Sequence, residues 1–426
     1  MLELRQHPAA PYYNYACGDM LNAEDLEWVR LFEQALKLRP PRWRPHQPPD
    51  WVAEFTEDCL AQVPYYKKYG RSHWSIDLPA LKREVLRDSP ELLIPDGMDQ
   101  SRKVIYPTSG TTGNTLEIAS HPVTAACYLP LLRKAVEQAG GRLEGGPGRV
   151  SIVLLFYQQN TLTYPSISTF LGGAGFLKLN LHPAQWKEPE HRLQYLEHYQ
   201  PEIISGNPLS LAELAKLDLH IQPSAMISTA MAMLPGDRRL LEERFGCPVI
   251  DFYSMSECRC LAARSAGERY QLLAHDVYLE ILNSAGLPCA PGERGEITLT
   301  GGRSPYLPLL RYRTGDFAAM TWEQDIPYLE GLEGRAPVRF YRKNGSWLNN
   351  IDVTHALSDL PLRQFSLHQR ADLSLKFLYR QGEVEPQTLR PRLENLFGDL
   401  PLEINLARQD ELLENKWIRY TSEIDG

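Results

Sequence analysis

Between residues 149 and 253 the chain alternates short apolar runs with amphipathic segments, and that alternation leaves few folds open. The run 149–157 is almost continuously apolar and follows Gly146-Pro-Gly148, the pattern of a strand buried on both faces. Runs at 176–181, 202–205, 224–229 and 248–253 repeat it, with helices expected at 162–171, 191–198, 209–217 and 236–245. Strands and helices in succession predict an α/β sheet with both faces covered.

The flanks differ in character. Upstream, a short helix is expected near 23–37, then an extended Pro-rich strap to about residue 50, where repeated Pro rules out a helix. Helical spacing returns at 51–68 and 123–139. Beyond residue 270, strands at 277–282, 295–300 and within 302–312 are separated by Gly/Pro turns and predict a β-rich subdomain. A composition break at 331–335 divides the 426 residues into a large domain, 1–334, and a small α+β domain, 335–426.

Charge and cysteine usage narrow the function classes. The 45 basic and 53 acidic residues are interspersed and give a net charge of −8, which predicts neither nucleic-acid nor membrane binding. A small molecule is the expected partner. No apolar run is long enough to span a bilayer, and the seven Cys are odd in number and scattered, so a soluble cytoplasmic protein with reduced thiols is expected. Cys258 and Cys260 lack the spacing of a zinc site and are read as packed thiols. His121 and His182 receive no catalytic role.

Five stretches carry the chemistry. Tyr106-Pro-Thr-Ser-Gly-Thr-Thr-Gly-Asn-Thr-Leu-Glu-Ile118 concentrates hydroxyls and glycines between apolar flanks, so backbone N–H groups and the hydroxyls of Thr108, Ser109, Thr111 and Thr112 can meet an anion. Gly110 and Gly113 allow the close approach. Neither the dinucleotide fingerprint nor the P-loop spacing is present. Downstream lie Asp251-Phe-Tyr-Ser-Met-Ser-Glu257 at the carboxyl end of an expected strand, Leu310-Arg-Tyr-Arg-Thr-Gly-Asp316, Gly334-Arg335, and Glu414-Asn-Lys-Trp-Ile-Arg419. Taken singly, each has a bland reading as a turn, a capped loop or a solvated charge.

In order, they resemble the motifs of the adenylate-forming superfamily of acyl-CoA ligases, peptide-synthetase adenylation domains and luciferases. From Val63-Pro-Tyr-Tyr-Lys-Lys68 almost to the C-terminus, the likeness is closest to the phenylacetate-CoA ligase branch. The resemblance implies ATP and Mg²⁺ as cofactors. Phosphates would meet Thr108, Ser109, Gly110, Thr111, Thr112 and Gly113, while adenine would lie against Tyr253, Thr229 and Ala230. Ser256 would contact the α-phosphate and Glu257 would hold the metal. Asp316, in a Gly turn, suits the two vicinal hydroxyls of ribose. Arg335 would contact ribose or phosphate, and Lys416 would neutralise charge in the transition state, which makes Lys416, Glu257 and Thr111 the catalytic set.

The pattern is not complete. Ser254 stands where the family has Gly, Met231 where it has Glu, and Asn415 where it has Gly. Asn114-Thr-Leu116 replaces the usual Lys of the phosphate loop, a loss shared by the phenylacetate branch. Ala336-Pro337 replaces the acidic hinge, and Pro fixes φ where a hinge must rotate.

By the same resemblance the acid would sit among Phe156, Tyr157, Gln158, Gly173 and Ser228, a slot for a small, flat, aromatic acid. The implied reaction activates a carboxylic acid to an acyl-adenylate with release of pyrophosphate and passes the acyl group to a thiol, with coenzyme A first among acceptors. A carrier protein or an amine is the alternative acceptor, and a nucleotide-binding protein without turnover is the alternative of another class. A homodimer is one assembly open to such a chain.

Overall fold

A computed structural model describes residues 19–70, 77–107, 116–157, 161, 163–231, 233–267, 269–334, 338–357, 359–362, 364–380, 384–407 and 419–424. Its centre is a 12-stranded sheet. From one edge the order is Val277–Leu282, Arg294–Gly301, Leu309–Glu323, Ile326–Glu333, Tyr270–Leu272, Arg259–Arg264, Val249–Met255, Ala225–Ser228, Ile203–Gly206, Val150–Phe156, Ala174–Asn180 and Tyr164–Ser168. The strands from Val249–Met255 through Ala174–Asn180 run parallel, and the rest pair antiparallel.

The continuous apolar runs are explained by a core on each face. Ile152, Ile203, Ile227 and Ile250 point to one face, against Val29, Phe32 and Leu36 of helix Ala23–Leu38 and Leu131, Leu132 and Val136 of helix Tyr128–Gln138. Their neighbours Val153, Ile204, Met226 and Val249 point the other way, onto Tyr195, Leu196, Leu211 and Leu241 of three further helices. With side chains alternating and both faces covered, no position in these strands can be polar cheaply.

Two expectations change. The segment 162–171 is not a helix: Tyr164–Ser168 is an antiparallel edge strand, paired Tyr164↔Lys178 through Ser168↔Ala174. The chain reverses through Gly172 and Gly173, both at positive φ (68° and 83°), and Pro165 is tolerated because an edge strand can spare an N–H. Pairing to a strand already in place outweighs the helical spacing. The region 51–68 is divided into Trp51–Gln62 and Pro64–Lys67, because Val63 before Pro64 is held extended. The β-rich part continues the parallel sheet.

Past residue 338 a hairpin, Arg339–Tyr341 with Trp347–Asn349, leads through helix Asn350–Leu357 to a sheet of four strands. Its order is Leu402–Leu406, Leu375–Tyr379, Phe365–Gln369, Tyr420–Ser422, and helix Pro386–Phe397 packs Leu389, Leu393 and Phe397 into a core with Phe340, Phe377 and Tyr420. Arg380 reaches back to Glu213 at 3.1 Å.

The long strand Leu309–Glu323 is locked by a buried ion pair. Arg311 donates from Nε and Nη2 to Glu280 at 3.1 and 3.2 Å, both side chains almost fully buried, and from Nη1 to the Leu78 carbonyl. The backbone of Leu81 bonds to the same strand on either side, to Arg311 O and from Arg313 N, both at 2.9 Å. Arg313 is likewise paired, to Glu296. Arg311→Met leaves Glu280 buried without its partner and is expected to lower the unfolding free energy by about 3–5 kcal/mol, read by urea denaturation. A loss below about 1 kcal/mol would show that the pair does not hold this strand.

Candidate active site

The connection leaving Val150–Phe156 passes to Ala174–Asn180 on one side, while Ile203–Gly206 lies on the other, so a topological switch opens a crevice at the carboxyl ends of the first and third of these strands. Tyr157 and Asn207 follow directly at its two sides. The Tyr157 ring lies 5.1 Å from that of His182, and burial, with Glu213 nearby, raises its hydroxyl above the ordinary value. Ser228 is level with Gly206, fully buried, and its hydroxyl has no hydrogen-bond partner among the described residues. Phe156 ends its strand beneath the Lys178 ammonium, 4.6 Å from the ring centroid.

Just beyond Ser228 the chain makes a strained turn. Thr229 N bonds to Gly206 O at 3.0 Å, and Met231 N bonds back to Thr229 O at 2.9 Å around Ala230, whose φ is 67°. A three-residue turn with positive φ at a residue bearing Cβ is rare and costs about 1–3 kcal/mol. It presents the Thr229–Met231 backbone at the strand ends, and Ala230 is exposed there.

Two hydrogen bonds then join motifs that are far apart along the sheet. Tyr253 Oη donates to Asp316 Oδ2 at 2.8 Å, and Tyr312 Oη donates to Glu257 Oε1 at 2.8 Å. The strands Val249–Met255 and Leu309–Glu323 are four steps apart in the sheet, about 19 Å if it were flat. The sheet therefore curls until its two segments face one another. Burial, reinforced by the partner carboxylate, raises both phenols well above their usual range, so each is held as a donor.

Bulges aim these side chains. Where Glu296 faces Phe317 and Thr298 faces Arg313, the long strand has two residues more than its partner, and Asp316 sits in the excess. Gly315 makes the turn at φ 77° and donates to Glu296 at 3.1 Å, while Asp316 N donates to Thr314 Oγ1 at 3.1 Å. Every backbone donor lifted from the ladder by residues 315 and 316 thus has an acceptor. Another shift, between Tyr253 and Ser254, turns the chain into the loop carrying Ser256 and the buried Glu257.

Of the residues expected at the site, Tyr253, Ser256, Glu257 and Asp316 come together, and Phe156, Tyr157, Ser228, Thr229 and Ala230 lie along the same edge of the parallel strands. Gly173 does not. It precedes the seven-residue strand Ala174–Asn180 at its amino end, about 20 Å from the crevice, because the edge strand Tyr164–Ser168 leads into a reversal there. Thr108, Ser109, Gly110, Thr111, Thr112, Gly113, Gln158, Arg335 and Lys416 lie outside the described residues. The ribbon that flanks this hydroxyl-rich stretch is described: Val104–Pro107 pairs with Glu117–Ser120 and ends at Pro107↔Glu117.

Cys258 and Cys260 are fully buried, their thiols raised by desolvation, Cys260 to about 12. No group of three metal-ligating side chains occurs among the described residues. A lone buried carboxylate, Glu257, suits a magnesium ion shared with substrate phosphates rather than a cage made wholly by protein. Sequence reasoning missed Tyr312, which orients Glu257, and Arg303. The Arg303 guanidinium is buried and donates to the carbonyls of Cys258 and Cys260 at 2.7 and 3.2 Å and to Asp276 at 2.8 Å, holding the Glu257 loop from behind. Tyr312 opens the Tyr-Arg-Thr-Gly-Asp run, which was the available signal; Arg303 had none.

The architecture is that of the adenylate-forming ligases. Over 95% of this chain and 90% of the other, it matches a 2-hydroxyisobutyryl-CoA ligase in the postadenylation state in complex with 2-HIB-AMP, with a TM-score of 0.60 at 15% identity. In sequence the chain is similar to phenylacetate-coenzyme A ligases. It is 23% identical over 285 residues to that of Thermus thermophilus, covering 62% of this chain and 57% of the relative. It is 27% identical over 238 residues to that of Escherichia coli K12, covering 51% of each. The chain spans about half the length of the curated relatives it matches. No family model matches it. Fold and sequence thus agree with the resemblance carried by the motifs, to the adenylate-forming superfamily near its phenylacetate-CoA ligase branch.

Tyr312→Phe removes the one donor that Glu257 has among the described residues and is expected to cost about 1–3 kcal/mol of stability. Thermal and urea unfolding at neutral pH check this, and an unchanged midpoint would show the Glu257 carboxylate to be solvated instead.

Proposed function

We propose that this protein is an enzyme that uses ATP to convert a small aromatic carboxylic acid to its acyl-adenylate and then transfers the acyl group to the thiol of coenzyme A. The observation that carries the reading is the meeting of Tyr253, Glu257 and Asp316 through the two crossed tyrosine–carboxylate hydrogen bonds at the carboxyl ends of the sheet. A fixed carboxylate that accepts from ribose, an aromatic face beside it and a second carboxylate a turn away form a nucleotide site.

In the first step a carboxylate oxygen attacks the α-phosphorus, the bond from that phosphorus to the bridging oxygen breaks, and pyrophosphate leaves. Asp316 holds the ribose, the Ser256 hydroxyl meets the α-phosphate, and the hydroxyls of the loop that includes Thr111 grip the phosphates. Glu257 would hold a magnesium ion, which when bound would supply positive charge to the phosphate oxygens. Lys416 neutralises charge gathering between carboxylate and phosphate, a contribution of several kcal/mol in comparable sites, about 3–4 for one well-placed donor. Phe156, Tyr157 and Ser228 line the acid slot, with the unpartnered Ser228 hydroxyl free to meet a polar substituent. In the second step the thiol sulfur attacks the acyl carbon and AMP leaves. The segment 335–426 acts as the small domain that brings Lys416 to the site, in a cytoplasmic enzyme.

Pyrophosphate exchange into ATP, measured with Mg²⁺ and without thiol across aryl, arylacetic and short aliphatic acids, tests the first step. Exchange with an aromatic class is expected, and absence of exchange with every acid while ATP binds would reject the reading. Lys416→Ala is expected to slow exchange about 100- to 1000-fold with little change in ATP affinity. Wild-type exchange in that variant would remove Lys416 from the mechanism.

A further inference from the structure

Arg259 closes a hairpin turn in a conformation that carries a backbone cost. It begins the strand Arg259–Arg264 opposite Met255, yet its φ is 64°, a left-handed conformation that a residue with Cβ rarely adopts. The residues on both sides are held, since Arg303 donates to the carbonyls of Cys258 and Cys260. The conformation is therefore imposed, and it fixes the direction in which the side chain leaves the turn.

That side chain is stacked and unpaired. Its guanidinium lies 4.0 Å from the ring centroid of Tyr106, while Nε and Nη2 are buried without a hydrogen-bond partner among the described residues. No carboxylate among the described residues neutralises it. A cation–π contact offsets part of the desolvation of a guanidinium but satisfies none of its N–H groups. A buried, positioned, unsatisfied fork of donors suits an anion with several oxygens.

Its location says which anion. Tyr106 precedes Pro107, where the ribbon ends and the hydroxyl-rich loop begins, and Arg259 is two residues beyond Glu257. From residue 104 to 120 the sequence contains no Lys or Arg, so the loop offers hydroxyls and N–H groups but no charge. We infer that Arg259, held by its stack on Tyr106, supplies the positive charge to the phosphate chain of the bound nucleotide that this loop lacks. This rests on the nucleotide site proposed above.

Binding of ATP and of adenosine to wild-type protein, Arg259→Gln, Arg259→Lys and Arg259→Gly separates the possibilities. The Gly variant relieves the left-handed backbone while removing the charge, so it guards against a folding defect. Arg259→Gln and Arg259→Gly are expected to weaken ATP about 10- to 100-fold and leave adenosine within about twofold, with Arg259→Lys between them and wild type. Undiminished ATP binding in the Gln and Gly variants, or equal losses for ATP and adenosine, would overturn the inference while leaving the nucleotide site intact. A wild-type protein that binds neither compound would overturn both.

Discussion

The structure depends on a pair of exchanges. The tyrosine of one motif donates to the carboxylate of the other, Tyr253 to Asp316, and the tyrosine of the second donates to the carboxylate of the first, Tyr312 to Glu257. Each of these bonds crosses from one segment of the sheet to the other. Each bond needs the opposite segment of the sheet to arrive, so these groups acquire their geometry together with the curl of the sheet. Glu257 is buried, and a buried carboxylate without a donor is costly, so an open, uncurled sheet is unfavourable there. The bulge at Thr314–Asp316 and the shift at Tyr253/Ser254 are the local means, and the buried Arg311–Glu280 pair holds the long strand while they form.

Much of this was legible in the sequence because the parallel strands are buried on both faces. Runs such as 149–157 and 248–253 had to be nearly all apolar, and their spacing revealed the alternation with helices. The edge strand was not legible. Tyr164–Ser168 has one neighbour and therefore weak patterning, and only the Gly172–Gly173 reversal, which needs positive φ, distinguishes it from a short helix. That error displaced Gly173 from the crevice to the opposite end of the sheet.

The site divides in the same way. Tyr253, Ser256, Glu257 and Asp316 stand in compact runs whose chemistry can be recognised from residue types and order. The groups that position them come from elsewhere in the chain: Arg303 holds the Glu257 loop from 43 or more residues away, and Tyr312 reaches Glu257 across 55. Long-range partners of this kind leave no periodic trace. Arg259 was passed over for a different reason. Between two cysteines it looks like an ordinary surface charge, and only its backbone angle and its stack on Tyr106 mark it out.

The closure of the first part of the chain onto the last part of the large sheet has a consequence for synthesis. The Tyr66 hydroxyl accepts from the backbone of Leu310, 244 residues later, and Leu81 bonds to the backbone of Arg311 and Arg313. At translation rates of about 5–20 residues per second, the partner of Tyr66 emerges roughly 12–50 seconds after it. Throughout that interval Tyr66, Leu81 and Leu86, all fully buried in the finished protein, have no sheet to cover them. The nascent chain therefore carries these side chains uncovered while the parallel strands assemble behind them.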